Sequence, residues 1–209
     1  MEKSHRVFVA INLPEDIKKE LKRHQEEINS RFTLSQNEGF GEWAKWTSKD
    51  NLHITLEFLG NLTEEEVGEA CIAAKAVAEK HESFSLNLNQ IVYGPLRLRS
   101  GQAPKFVWAE GNKSEELSAL REDLENYLLE KIRFAPAPLS GAKGTLSVPH
   151  VTLARINEWE FRKIEPEERP EINENIDLLF TVESIDVMES EMKRGGPVYE
   201  ILESFSLKS

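Results

Sequence analysis

The chain has 209 residues, with 26 Lys and Arg against 37 Asp and Glu, a net charge of −11. Such an acidic balance repels phosphate backbones, which excludes an extended, nonspecific nucleic-acid footprint and leaves room only for a small cleft with local cations. The lone cysteine, Cys71, excludes an internal disulfide, and the opening MEKSHRVFVA holds too short an apolar run for a signal peptide or a membrane span. A cytoplasmic protein that does not engage membranes is therefore expected.

In chain order, Arg6–Leu13 reads as a buried strand. Pro14–Asn29 follows as a helix, with Pro14 at an early helical position and Ile17, Leu21 and Ile28 on one stripe. Thr33–Trp46 is a polar, glycine-bearing loop holding Phe40, Trp43 and Trp46. Such aromatics can form a base-stacking platform, but more often they pin a loop to the core. A strand at 52–58 contains HITL. Thr63–His81 is a helix with Thr63 and Glu66 in a capping box, and Cys71 lies within it as a small apolar residue.

A strand at Ser83–Val92 and a turn-rich basic loop at Tyr93–Pro104, bearing Arg97 and Arg99, come next. Lys105–Glu110 reads as a strand, and Ser114 to Ile132 as a helix with Leu117, Leu120, Leu124 and Leu128 as its stripe. Phe134–Pro149, rich in Pro and Gly and bearing Lys143, leads into a strand at 149–155 with HVTL. A weak helix around Glu167–Asn175 and a strand at Leu178–Glu189 follow. The chain closes on a hairpin turning through Arg194–Pro197, with Lys193 beside the turn.

Each half thus runs strand, helix, motif strand, helix, strand. This pattern predicts an α+β fold over residues 1–209, one domain of two pseudo-repeated lobes and a monomer, with helices packed outside two antiparallel sheets that face a central cleft. Alternate side chains of a strand share a face, so His53 and Thr55 project together, as do His150 and Thr152. Either His–Thr pair alone reads as structural; the repeat points to a shared site.

Imidazole gains or loses a proton near neutral pH. Two histidines flanking a phosphorus centre can act as general base and general acid, with threonine hydroxyls and a guanidinium on the phosphoryl oxygens. Arg155, close after His150, is the guanidinium candidate, although strict alternation turns it away from His150. No GxSxG, P-loop, GxGxxG or HExxH spacing is present. Glu57, sharing the face of His53 by alternation, is a candidate third metal ligand with the histidines, but no well-spaced set emerges. No metal and no cofactor is expected.

RVFVAINLP, NLHITLEFLGNL, KFVWAEG, PHVTLARI and GGPVYEIL occur in the order typical of the RNA 2′,3′-cyclic phosphodiesterase branch of the 2H phosphoesterase superfamily, also called 2′-5′ RNA ligases, and the chain resembles that branch over nearly its whole length. The resemblance implies hydrolysis of RNA or nucleotide 2′,3′-cyclic phosphate ends to 2′-phosphomonoesters. It implies His53 as acid, His150 as base, Thr55 and Thr152 as phosphate ligands, and Arg155, in LAR, as the phosphate-binding arginine. Ligation through a 2′-5′ bond, a cyclic phosphodiesterase acting on an adenosine diphosphate ribose derivative, and a non-catalytic module for RNA ends are the alternatives. Some relatives present an aromatic for base stacking on the first strand; this chain aligns Val9 there and Phe8 on the opposite face, so no stacking residue is assigned.

Overall fold

The computed structural model describes residues 4–33, 43–95, 103–132, 148–169, 171–194 and 196–209. The elements are β1 (His5–Asn12), α1 (Glu15–Thr33), β2 (Ala44–Trp46), β3 (His53–Leu62), α2 (Glu64–Ala78), β4 (Phe84–Gly94), β5 (Phe106–Gly111), α3 (Glu115–Lys131), β6 (His150–Ile156), α4 (Glu158–Lys163), β7 (Asn173–Val182), β8 (Ser184–Lys193) and β9 (Gly196–Ser206).

The strands make one antiparallel path, β7-β4-β5-β6-β3-β1-β8-β9, with β2 added on β6. Its centre is the contact between the two histidine strands, β3 and β6, which pair at Ile54 and Val151. From this seam the order is matched outward: β1 flanks β3 as β5 flanks β6, then β8 answers β4 and β9 answers β7. The two expected sheets are thus two four-stranded halves fused at one residue pair.

Membership of the halves differs from the order along the chain. The strand after the first motif, β4, joins the half containing β5 and β6, while β8 and β9 return to the half containing β1 and β3. The expected single strand at Leu178–Glu189 is two strands with a break at Glu183, whose carbonyl accepts the Leu207 N–H at 2.8 Å. The weak helix expected around Glu167–Asn175 is also displaced. The helix there is α4, capped by Asn157, whose side-chain oxygen accepts from the Glu160 N–H at 3.4 Å. Pro166 opens a separate 3₁₀ turn instead of continuing the helix, because it lacks an N–H to donate.

The remaining helices form for the reasons read from the sequence. Thr63 Oγ1 accepts from the Glu66 N–H at 3.3 Å, and the Thr63 N–H donates to the Glu66 carboxylate at 2.8 Å, closing the capping box of α2. Ser114 Oγ accepts from the Leu117 N–H at 3.0 Å and caps α3. Leu117, Leu120, Leu124 and Leu128 of α3 are fully buried, each contributing roughly 1.5–3 kcal/mol. α3 packs on α2 and β3, and α2 on β1, β3, β8 and β9. α1 ties to β6, where the buried Gln25 amide donates to the carbonyls of Leu153 at 2.8 Å and Thr47 at 3.0 Å. Among the described residues no helix is long and apolar enough to cross a membrane.

Candidate active site

The two motif strands share one burial pattern over seven residues: half-buried, buried, half-buried, buried, buried, exposed, buried. Ile54, Leu56, Val151 and Leu153 fill the core, leaving His53, Thr55, His150 and Thr152 half-buried on the opposite face. The seam pairs Ile54 with Val151. One step either way, the antiparallel register sets His53 across from Thr152 and Thr55 across from His150. An approximate two-fold axis therefore runs between the His–Thr pairs.

Two consecutive buried residues mark a β-bulge in each strand. In β3, Thr55 pairs with Ala10 but Glu57 with Val9; in β6, Thr152 pairs with Trp108 but Ala154 with Val107. An extra residue reverses the faces beyond it. The bulge in β6 carries Arg155 back to the histidine face, which strict alternation denies it, and sets it beside Phe106, with the guanidinium carbon 5.9 Å from the ring centre. The bulge in β3 has the converse effect on Glu57. Expected beside His53, it turns instead to the helix side, 4 % exposed, and Phe58 takes the position matching Arg155.

Each histidine is held against an aromatic from the neighbouring strand. The Phe8 ring lies 5.0 Å from that of His53, and Tyr199 of β9 meets His53 edge-on at 5.2 Å. Trp108 of β5 lies 4.3 Å from His150, and Phe106 stacks on Trp108 at 5.8 Å. Phe8 thus occupies the histidine face with Ala10 and Met188, while Val9 is in the main core, the reverse of the faces expected. The all-apolar run from Val7 to Ile11 carries no polar position that would mark a face.

Backbone carbonyls fix the imidazoles. His53 Nδ1–H donates to the Asn51 carbonyl at 2.7 Å, which leaves Nε2 to accept from the Thr55 hydroxyl at 3.0 Å. The Asn51 side chain donates to the Pro197 carbonyl at 2.7 Å, bracing this turn on the β8–β9 hairpin. His150 likewise hydrogen-bonds the backbone two residues before it, at Val148. Burial lowers the pKa of His150 to about 4, helped by the charge of Arg121 on α3 and by His53. Burial also lowers that of His53, as does the charge of Lys18. Both rings are accordingly neutral at pH 7 and able to accept a proton.

Other candidates lie elsewhere. Trp43 is buried against Trp46 and Phe161, and Trp46 Nε1–H donates to Asn29 Oδ1 at 2.9 Å, so these two rings pin β2 to the core. Phe40, Arg97, Arg99 and Lys143 lie outside the described residues. Lys105, Lys193 and Arg194 are exposed. Cys71 is half-buried, its thiol pushed up to about 11 by burial and the nearby Glu203, far from thiolate chemistry. Among the described residues no group of three His, Cys, Asp or Glu side chains is placed to hold a metal ion.

A mixed fold in which two His–Thr strands meet at one seam is what the resemblance to the two-histidine phosphoesterases implies. The LigT-like phosphoesterase model matches residues 11–102, and the chain is similar to that family. It is 26% identical over 200 residues to the RNA 2′,3′-cyclic phosphodiesterase of Thermotoga maritima, covering 94% of this chain and 92% of the relative. It is 29% identical to that of Thermus thermophilus, over 97% of this chain and 90% of the relative. A crystal structure from Thermus thermophilus superposes with a TM-score of 0.74 at 27% identity, covering 97% of this chain and 98% of that one. The ligand-free crystal structure of LigT from Escherichia coli shares the fold along the whole of both chains, with a TM-score of 0.69 at 22% identity.

Proposed function

We propose that this phosphoesterase hydrolyses RNA or nucleotide 2′,3′-cyclic phosphates to 2′-phosphomonoesters, using its own side chains and no metal, in one domain of two pseudo-repeated lobes. The observation that carries the reading is the paired arrangement at the seam, two histidines and two threonines on one face with Arg155 brought beside them by a bulge. The names of the relatives support the same substrate class.

The cyclic phosphate lies over the seam. Thr55 and Thr152 donate to its non-bridging oxygens, and Arg155 offsets the charge that grows there. Thr55 turns from His53 Nε2 to the phosphate as it does so. His150, held neutral, takes a proton from water, whose oxygen attacks phosphorus. The bond from phosphorus to the 3′ oxygen breaks, and that oxygen takes a proton from His53. The arriving phosphate supplies this proton's stability, because a nearby negative charge raises an imidazole pKa. After the step His150 carries the proton taken from water and His53 has lost the one it gave to the 3′ oxygen, and exchange with solvent restores both.

Phosphorus NMR of 2′,3′-cyclic AMP with wild type, His53→Ala and His150→Ala tests the scheme. A 2′-phosphomonoester formed by wild type alone is expected. Conversion by all three proteins would place the active site elsewhere, and no conversion by wild type would favour a longer RNA substrate or a binding module.

A further inference from the structure

The strands β3 and β6 pair at Ile54 and Val151, and Thr55 and His150 stand at the next step of that register. Arg121 reaches this place from α3. It lies on the apolar stripe of the helix, four residues after Leu117 and three before Leu124, and is 8 % exposed. Its guanidinium donates to the Thr55 carbonyl, on the helix side of the strand whose other side carries the His–Thr pair. The β3 bulge brings Glu57 to the same side.

We propose that Arg121 is a positioning residue of this site: a fixed cation behind the motif strands that anchors the Thr55 backbone and disfavours positive charge on His150. The proposal rests on the reading of His150 as base. A buried cation costs desolvation energy, and no apolar stripe needs one, so its retention calls for a role. Among the described residues Glu57 of β3 acts on Arg121 and Glu125 of α3 acts on Glu57, while His53 of β3 acts on His150, whose register partner is Glu110 of β5, and Lys18 of α1 acts on His53.

Glu57 does not cancel the cation where it matters. Burial and the charge of Glu125 push its carboxyl up to about 7, so Glu57 is mostly protonated in the acidic range where His150 titrates. Arg121 keeps its charge throughout, since burial lowers its pKa only to about 10. Glu57 therefore offsets the field of Arg121 on His150 least below neutrality, where a general base must resist protonation.

The test is NMR titration of the histidine rings in ligand-free wild type, Arg121→Lys and Arg121→Gln, with His150→Asn to assign the His150 signal, followed by the pH profile of kcat/KM. Lys keeps the charge; Gln keeps a donor for Thr55 without it. In Arg121→Gln the His150 midpoint is expected to rise by about one pH unit, with the acid limb of kcat/KM moving alongside, while Arg121→Lys restores both. An unmoved midpoint in Arg121→Gln, or an equal rise in Arg121→Lys, would overturn the proposal. Failure of both Arg121→Gln and Arg121→Met to fold would also overturn it, because the cation would then serve the fold itself. The titration needs no substrate, so a shifted midpoint in a protein that converts no cyclic phosphate would leave the role of Arg121 standing and remove the reaction.

Discussion

Replacing His150 by Asn should change how stability depends on pH. In the fold the ring is held at about 4 by burial, against an ordinary value of 6.5. The unfolded chain therefore binds more protons than the folded one between those values, and stability falls as pH falls through that window. The gap corresponds to about 3 kcal/mol when the window is fully crossed, and about 2 kcal/mol of it is gone by pH 5. Asn does not titrate, so the variant escapes this loss. Urea unfolding at pH 7, 6 and 5, followed through the four tryptophans, should show wild type losing about 2 kcal/mol more than His150→Asn between the first and last condition. Parallel losses would mean that His150 takes its proton freely in the fold, and the argument for a neutral base at the seam would fail.

Glu57→Gln should show the opposite sign. The Glu57 carboxyl is raised to about 7, so wild-type stability falls as pH rises from 4.5 to 7, and the variant should gain about 2 kcal/mol on wild type between pH 5 and pH 8 in the same unfolding assay; no relative gain refutes the buried carboxyl. At Gly94 an added Cβ would meet the Trp108 indole, so Gly94→Ala should displace the ring behind His150 and cost about 1–3 kcal/mol. A fall in kcat/KM with altered tryptophan fluorescence is expected there, and an unchanged enzyme would show that the indole is not needed. Arg155→Phe should lower kcat by about 10²–10³-fold, and adding Phe58→Arg should recover at least about tenfold, since the two positions are related across the seam; a double variant no better than the single would break that equivalence. Activity on 2′,3′-cyclic AMP should survive excess chelator, and a strict divalent requirement would sink the scheme.

The His–Thr pairs were legible in the sequence because they combine a rare polar pattern with an ordinary one. Period-2 alternation set Ile54 and Val151 against the core and left the polar residues on one face. What alternation could not show is where it stops. Leu56–Glu57 and Leu153–Ala154 look like ordinary strand positions, yet the bulges there decide that Arg155 joins the site and Glu57 leaves it. Phe8 was misassigned because Val7 to Ile11 are all apolar, and all are buried. Trp108 and Tyr199 come from strands whose pairing is set by long-range contacts, and each half of the sheet takes strands from the other half of the chain, β4 joining β5, β6 and β7, and β8 and β9 joining β1 and β3. Arg121 did leave a trace: a charge on the apolar stripe of α3, between Leu120 and Leu124.

The symmetry at the seam explains why two histidines are present, and its breaking explains why they need not act alike. An exact two-fold arrangement would give both rings the same surroundings, and neither could be preferred as acid or base. In this chain the related positions differ. Arg155 answers Phe58, and Trp108 answers Ala10. A cation acts on each ring from a different helix, Arg121 from α3 on His150 and Lys18 from α1 on His53. Each ring has a backbone acceptor two residues before it, at Asn51 and at Val148, which favours the charged form of both and so does not separate them. His150 has the guanidinium fixed behind its strand and an indole against its face. The proposed division of labour between equal residues thus rests on what lies behind and beside them, in α3, α1 and the flanking strands.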